Sequence, residues 1–342
     1  MRKRLIGFIG STWGQRLTIL LAVIVVMALL EPKFFRMSNI YSILLAIAIY
    51  GILCCGMLFV ILIGGIDLSI GSAAAMAGCI MTKTYMDSGY SAAGFVQGFL
   101  LAMLFCALLG LFHGVEITVF RMPAFVMTLA TKYALYGAMQ VYTGGMRIQP
   151  HGALGTVYHF LGNGRPLGIP MPVVLMVLTV VVCTVILGFT PYGRRVYAVG
   201  GNPRASELVG IRSRRYTIIG YVVCSMLAGF GGIVLASLNM SVDQTSASGY
   251  EGTVLMAMLI GGINIFGGEG GVPGAIFGAL FVGIIDNMLI LLDVPSEYQK
   301  FVQGVIIIVA IAVNMQAYRR VMGLTAPRRR KGDRTNEVST PL

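Results

Sequence analysis

The chain has 342 residues, 57% of them hydrophobic and only 11% charged, yet its net charge is +12. A soluble core does not need so much apolar sequence, and no polar stretch exceeds roughly 30 residues, too short for an aqueous domain. These values exclude a soluble protein of ordinary build and predict an all-α, polytopic membrane fold.

The first apolar run, 17–30, follows Arg2, Lys3, Arg4 and Arg16. Its flank Glu31-Pro-Lys-Phe-Phe-Arg36 lacks a small-residue cleavage site, so the run reads as an uncleaved first span. Further spans are predicted near 40–63, 70–86, 94–119, 124–143, 171–190, 216–238, 251–266, 272–292 and 298–317. Each approaches the roughly 20 residues that cross a bilayer, and together they make about ten. One transmembrane domain thus covers 1–317, and a basic tail follows over 318–342.

Charge orients the stack. The N-terminal segment carries +4, the 191–215 loop +5 and the tail +5, whereas the intervening loops 31–39, 83–93, 144–169, 239–251 and 293–300 cancel to zero. An even number of spans then puts both termini and the long basic loop in the cytoplasm. Topology accounts for the positive balance, so nothing points to nucleic acid. The six cysteines lie in apolar runs without a CxxC pair and read as packing residues. His151 and His159 fall in an outer loop and His113 stands alone in a helix, which offers no metal site. The chain has no phosphate loop (no Gly-Lys dipeptide at all), no HExxH and no GxSxG, so no catalytic residue is assigned and no cofactor is expected on it.

Four segments carry the most information. At 60–72 an aliphatic run breaks as Leu62-Ile-Gly-Gly-Ile-Asp67-Leu-Ser69. Asp67 is costly in hydrocarbon, so it faces protein or a water-filled cavity; a plain packing turn, with Asp67 capping the next helix, is the alternative. The same string returns as Leu259-Ile-Gly-Gly-Ile-Asn264, an offset of 197, while His113-Gly-Val-Glu…Met122-Pro123 resembles Asp286-Asn-Met…Val294-Pro295 at about 172. The second register fits a five-plus-five inverted repeat. Small residues four apart, at Gly110 and Gly114, Ala228, Gly232 and Ala236, and Gly270, Gly274 and Gly278, let helices pack closely. In the basic loop, Gly200-Gly201-Asn202 predicts a turn, with Asn202 capping a short helix that starts at Pro203, runs through Glu207 and stops at Gly210.

These segments, with Met122-Pro-Ala-Phe-Val-Met-Thr-Leu-Ala130, Gly193-Arg-Arg-Val-Tyr-Ala-Val-Gly-Gly-Asn202 and Gly261-Gly-Ile-Asn-Ile-Phe-Gly-Gly-Glu-Gly-Gly271, resemble the permease subunits of ribose-type ABC importers, in order, from about 39 to 314. The resemblance implies a fold like the vitamin B12 importers, with about ten helices, in a bacterial inner membrane. It implies a path for a simple sugar (pentose, hexose or polyol), a separate ATPase that binds the ATP, a periplasmic binding protein, and a second permease, identical or related. Gly200, Gly201, Asn202, Ala205, Glu207 and Gly210 match the element that couples to the ATPase. Polar or backbone-exposing groups on broken helices nominate Gly64, Gly65, Asp67, Ser69, Gly261, Gly262 and Asn264 for the translocation path, with Thr128, Gln140 and Asn239 behind them. Asp243 and Glu251 are expected on the outer face, available to basic residues of the binding protein. The chain departs from the family pattern at His113, where Asn is usual, and at Phe266. Nucleoside or branched-chain amino-acid import remains the alternative cargo. An ion-coupled secondary transporter is the alternative mechanism, for which intramembrane Asp67 and Asp286, with Glu116, are the available acids.

Overall fold

The computed structural model describes residues 12–295 and 297–308. The cations Arg2, Lys3 and Arg4 and the tail 318–342 lie outside the described residues, as does the end of the 298–317 span. Twelve named helices follow one another: α1 (Thr12–Leu30), α2 (Met37–Leu62), α3 (Ile70–Asp87), α4 (Ala92–Thr118), α5 (Ala124–Thr143), α6 (Val157–Asn163), α7 (Met171–Phe189), α8 (Pro191–Gly201), α9 (Pro203–Leu208), α10 (Ser213–Asn239), α11 (Tyr250–Ile260) and α12 (Val272–Leu291). Helical turns continue over 297–308. Among the described residues the β-structure is one antiparallel bridge, Ile148 with Val242.

Two helices form the centre. α2 carries no charged residue and is buried almost continuously from Ile47 to Leu62. A helix that is apolar on all sides belongs inside a bundle or a membrane. α10 crosses it and also packs on α3 and α4, while α12 and α7 lean on α2 and α11 leans on α12. The predicted small residues sit at these crossings. Gly110 meets the backbone of Tyr221 and Val222, Gly232 meets that of Ala74, and Gly278 meets that of Ala257. A methyl at any of them would collide with main chain, so the close approach is built into the sequence.

α2, α4, α7, α10 and α12 are long and apolar enough to cross a membrane; α11 and the 16–30 part of α1 are apolar but shorter. The outward face of α4 is apolar along most of its length, with Val96, Leu100, Leu104 and Leu108 exposed and Gln97 near its start. Lipid is the solvent that such a face requires.

Three expectations need correction. The span predicted at 251–266 stops at Ile260, because Gly261 and Gly262 end it and Gly267, Gly268 and Gly270 hold the following residues in an irregular loop with positive φ. The segment 144–169 is not all loop: Thr156 accepts from the His159 amide and starts α6, whose Tyr158 and Gly162 are buried. The stretch 191–201 is a helix where a loop turning at 200–202 is predicted. Thr190 caps it, Pro191 occupies its first turn, and Val196 and Val199 bury one side while the arginines face out.

Candidate functional site

The nominated residues fall on two helix breaks. The first joins α2 to α3. Gly64 has φ +79°, a backbone state that side chains disfavour, and the chain turns there through Gly64 N–H to Ile61 O and Gly65 N–H to Val60 O. Asp67 is fully buried. Its Oδ1 accepts from the Ser69 amide at 2.8 Å and the Ser69 hydroxyl at 2.6 Å, and its Oδ2 faces the Cys224 thiol at 3.7 Å. That is an Asx turn, in which a short acid replaces the missing helical bonds of an interrupted backbone. The capping expectation is thereby revised, since the N-cap of α3 is Ser69 and makes no side-chain cap bond. Ile66 O accepts from the Tyr221 hydroxyl at 3.3 Å, so α10 covers the break. Asp67 and Ser69 are enclosed by protein in this conformation and do not face an open channel.

The second break joins α11 to α12. Asn264 Oδ1 accepts from the Phe266 amide at 3.0 Å, the same two-residue turn that Asp67 makes. Asn264 N–H donates to Glu269 O and Gly267 N–H to Asn264 O, which folds 264–269 on itself. Here Gly262 is exposed and Asn264 half-buried, whereas Gly261 is buried against Gly274. Arg16 of α1 lies over Gly262.

The two breaks touch, and the coupling candidate touches both. Gly268 N–H donates to Leu62 O at 3.0 Å. Gly200, at the end of α8, sits with its α-carbon hydrogens against that pair. A Cβ there would strike Leu62 O and come within 2.6 Å of the Gly268 nitrogen. Gly201 beside it faces open space. Three segments predicted for two different roles therefore meet backbone to backbone at one point.

From that point the chain passes directly into α9. Asn202 is extended (φ −158°) and its Oδ1 accepts from the Ala205 amide at 3.0 Å, the predicted cap. Helix α9 ends at Leu208, and Gly210 (φ +83°) turns the chain toward α10. Ser206 is buried and Ser213 Oγ ties back to Pro203 O, but Ala205, Glu207 and Gly210 are exposed, with Leu208 89% and Val209 76% exposed. A groove beside it is lined by Glu207, Gly210, Ile211, Arg212 and Arg214.

Most of the remaining polar groups within the helices are paired; among the described residues, buried side-chain atoms of His113, Glu116, Tyr192 and Ser225 have no partner. Tyr50 and Gln303 both donate to Asp286 at 2.9 Å, and Asn39 and Asn287 exchange amide bonds. His113 is fully buried against Tyr221, ring centroids 6.2 Å apart, and neither ring nitrogen has a partner among the described residues. Thr128 bonds its own helix at Ala124 O, and Gln140 and Asn239 are exposed. The expectation for Asp243 and Glu251 is overturned. Asp243 accepts from Arg147 at 2.9 Å and Glu251 pairs with Lys132 at 2.6 Å, and both carboxylates are largely buried, so neither is displayed on an outer surface for a partner protein. Burial alone would push the Asp243 carboxyl up, but the bonds from Thr245, Arg147 and Ser246 outweigh it and hold the group below its usual range. Tyr221 and Lys132 escaped the sequence analysis. A lone lysine inside the apolar run 124–143 is the signal that marks the second.

The family model described as "Branched-chain amino acid transport system / permease component" matches residues 39–311, both breaks and the α8–α9 element included. The chain belongs to this permease family. It is 36% identical over 297 residues to the ribose import permease protein RbsC of Bacillus subtilis, covering 86% of this chain and 90% of the relative. Against RbsC of Escherichia coli K12 the identity is 35% over 301 residues, covering 88% and 92%. The L-arabinose transport system permease protein AraH of Escherichia coli K12 is 30% identical over 317 residues, covering 88% and 90%. No solved structure matches the chain.

Proposed function

We propose that this chain forms the membrane path of an ATP-driven, binding-protein-dependent importer for a simple sugar, most closely a pentose. The observation that carries the mechanism is the junction at Gly200. A short exposed helix, α9, with apolar Leu208 and Val209 at its end, is joined through Gly201 and Asn202 to a glycine, Gly200, that touches both helix breaks. Docked on a cytoplasmic ATPase, α9 would move as that ATPase closes, and α8 would press its motion onto 62–65 and 267–268. The breaks are the parts of α2–α3 and α11–α12 with few regular backbone bonds to lose, so they are where the bundle yields first.

The sugar assignment rests on relatives that cover nearly the whole chain and are named for ribose and L-arabinose. The broader family description names branched-chain amino acids. The named relatives weigh more, because each is an individual protein 30–36% identical to the chain over most of both lengths, whereas the description is that of a whole family.

We infer ten crossings, with α6, α8 and α9 outside the count, both termini cytoplasmic, and an inverted repeat in the 172 register. Its support is that Tyr50 and Tyr221, Asp67 and Asp243, His113 and Asp286, and Pro123 and Pro295 stand 171 to 176 residues apart and play matching parts. Asp243 makes the same turn to Thr245 that Asp67 makes to Ser69. Tyr221 meets His113 of α4 as Tyr50 meets Asp286 of α12. Packing of α10 on α3 and α4 parallels that of α2 on α11 and α12.

Uptake of labelled ribose, L-arabinose and leucine into vesicles, with the chain assembled with its ATPase and binding protein, tests the assignment. ATP-dependent uptake of a sugar and not of leucine is expected. Leucine uptake alone would replace the cargo, and uptake that persists without the ATPase would replace the mechanism.

A further inference from the structure

Helix α5 has two unlike faces. Thr128, Thr131, Leu135 and Met139 are buried at helical spacing, and the helix packs through them on α3 and α4. Its open side carries Lys132, Tyr133, Tyr136 and Gln140, with Tyr133 67% exposed. Phe125, Val126 and Val141 are exposed on this helix too and suit lipid, whereas Lys132 and Gln140 do not. A lysine in mid-helix costs roughly 2.5–3.5 kcal/mol in a bilayer, and Lys132 stands eight residues into a 20-residue helix.

The lysine is held across a gap. Its ammonium meets Glu251 Oε1 at 2.6 Å, in the first turn of α11, although α5 and α11 make no extended packing with each other. The Lys132 side chain keeps 29% of its exposure and that of Glu251 12%, so the pair is neither buried in a core nor dissolved in solvent. Glu251 Oε2 lies over Gly71 at the start of α3, where a Cβ would come within 2.8 Å of it, and it accepts no hydrogen bond among the described residues. The ammonium uses one of its three donors in this pair and sits 5.7 Å from the Tyr133 ring centre. Two donors, one acceptor and the exposed Tyr133 ring thus converge at a partly open place beside the α3 helix start.

From this convergence we infer that Lys132 and Glu251 are solute-contacting residues that set specificity, and that they take a polyhydroxylated, uncharged ligand. The inference rests on the sugar-importer proposal. Vicinal hydroxyls can accept from the ammonium and donate to the free carboxylate oxygen, while tyrosine rings pack on the C–H faces of a sugar. The pair is neutral in sum, so it offers strong directional bonds without holding a counter-ion. Here α5 and α11 meet through the ion pair and not through extended packing, so a solute that replaces these bonds displaces no helix–helix contact.

The test uses the assembled importer in vesicles with labelled ribose, comparing Lys132→Met, Glu251→Gln and the exchange Lys132→Glu/Glu251→Lys. Each single change should lower ribose uptake about tenfold, with the binding protein and ATPase still in stoichiometric complex. The exchange restores the ion pair and should return the melting temperature to the wild-type value while uptake stays low. Uptake recovering in step with melting temperature would make the pair a structural clasp and overturn the inference. So would single variants that transport normally. A wild-type importer that moves leucine and neither sugar would overturn the sugar proposal and this inference with it, and that failure is visible before any variant is made.

Discussion

The two helix breaks share a sequence and a turn but not an environment. Leu62-Ile-Gly-Gly-Ile-Asp67 and Leu259-Ile-Gly-Gly-Ile-Asn264 both end a helix, and both close an Asx turn two residues on. Asp67 is sealed under Tyr221 and Cys224, whereas Asn264 sits in a half-open loop beside Arg16 and α8. A carboxyl acceptor stands where water is excluded and an amide one where it is not. Local sequence therefore sets the turn, and burial sets how much depends on it.

Changes at the shared junction should have the largest effect. Gly200→Ala places a methyl into Leu62 O and the Gly268 nitrogen, and overpacking of that kind costs about 1–3 kcal/mol. Sugar uptake should fall roughly tenfold or more, while Gly201→Ala, facing open space, should transport normally. If both variants behave alike, the contact has no special role.

Asp67 should come next. Asp67→Ala strands the buried Ser69 amide and hydroxyl, for about 1–3 kcal/mol, read as a lower melting temperature in detergent. Asp67→Asn keeps an acceptor oxygen and should lose clearly less. Equal losses from the two variants would mean that the negative charge, and not the turn, is what the site needs.

The matching change in the second break sharpens the comparison. Asn264→Ala removes one half-exposed bond, for about 0.5–1.5 kcal/mol. A loss as large as that of Asp67→Ala would erase the distinction drawn from burial.

Acid should act last and least. Because the Asp243 carboxyl is held below its usual range, its contribution is complete above the unfolded value of about 4 and is lost as pH falls through the lower folded value. The melting-temperature gap between wild type and Asp243→Asn should be constant from pH 5 to 8 and close only in stronger acid. A gap that changes near neutrality would point to another titrating group.

How far the sequence could be read follows from how local each feature is. Helix limits came within a few residues for α2 to α5, because Arg36, Asp87, Pro123 and Gly144 punctuate apolar runs. The α9 cap was legible in Asn202-Pro203 for the same reason. Helix α8 was not, since five of its eleven residues are glycine or arginine and only the buried Val196 and Val199 reveal a packed side. The proposed repeat register draws on three dimensions. The longer identical string lies at offset 197, whereas the pairing of Tyr50 with Asp286 and of Tyr221 with His113, which supports the other register, shows only through contacts. Ion pairs such as Lys132 with Glu251, 119 residues apart, join helices that no local pattern connects.

The junction of α8 with the two breaks is tested most directly by the ratio of sugar imported to ATP hydrolysed, in assembled complexes carrying Gly200→Ala or Gly201→Ala. If α8 transmits the ATPase stroke through Gly200, the Gly200 variant still binds its ATPase and hydrolyses ATP but imports far less sugar per ATP, and the Gly201 variant keeps the wild-type ratio. An unchanged ratio for Gly200→Ala, at any overall rate, would contradict transmission through this contact.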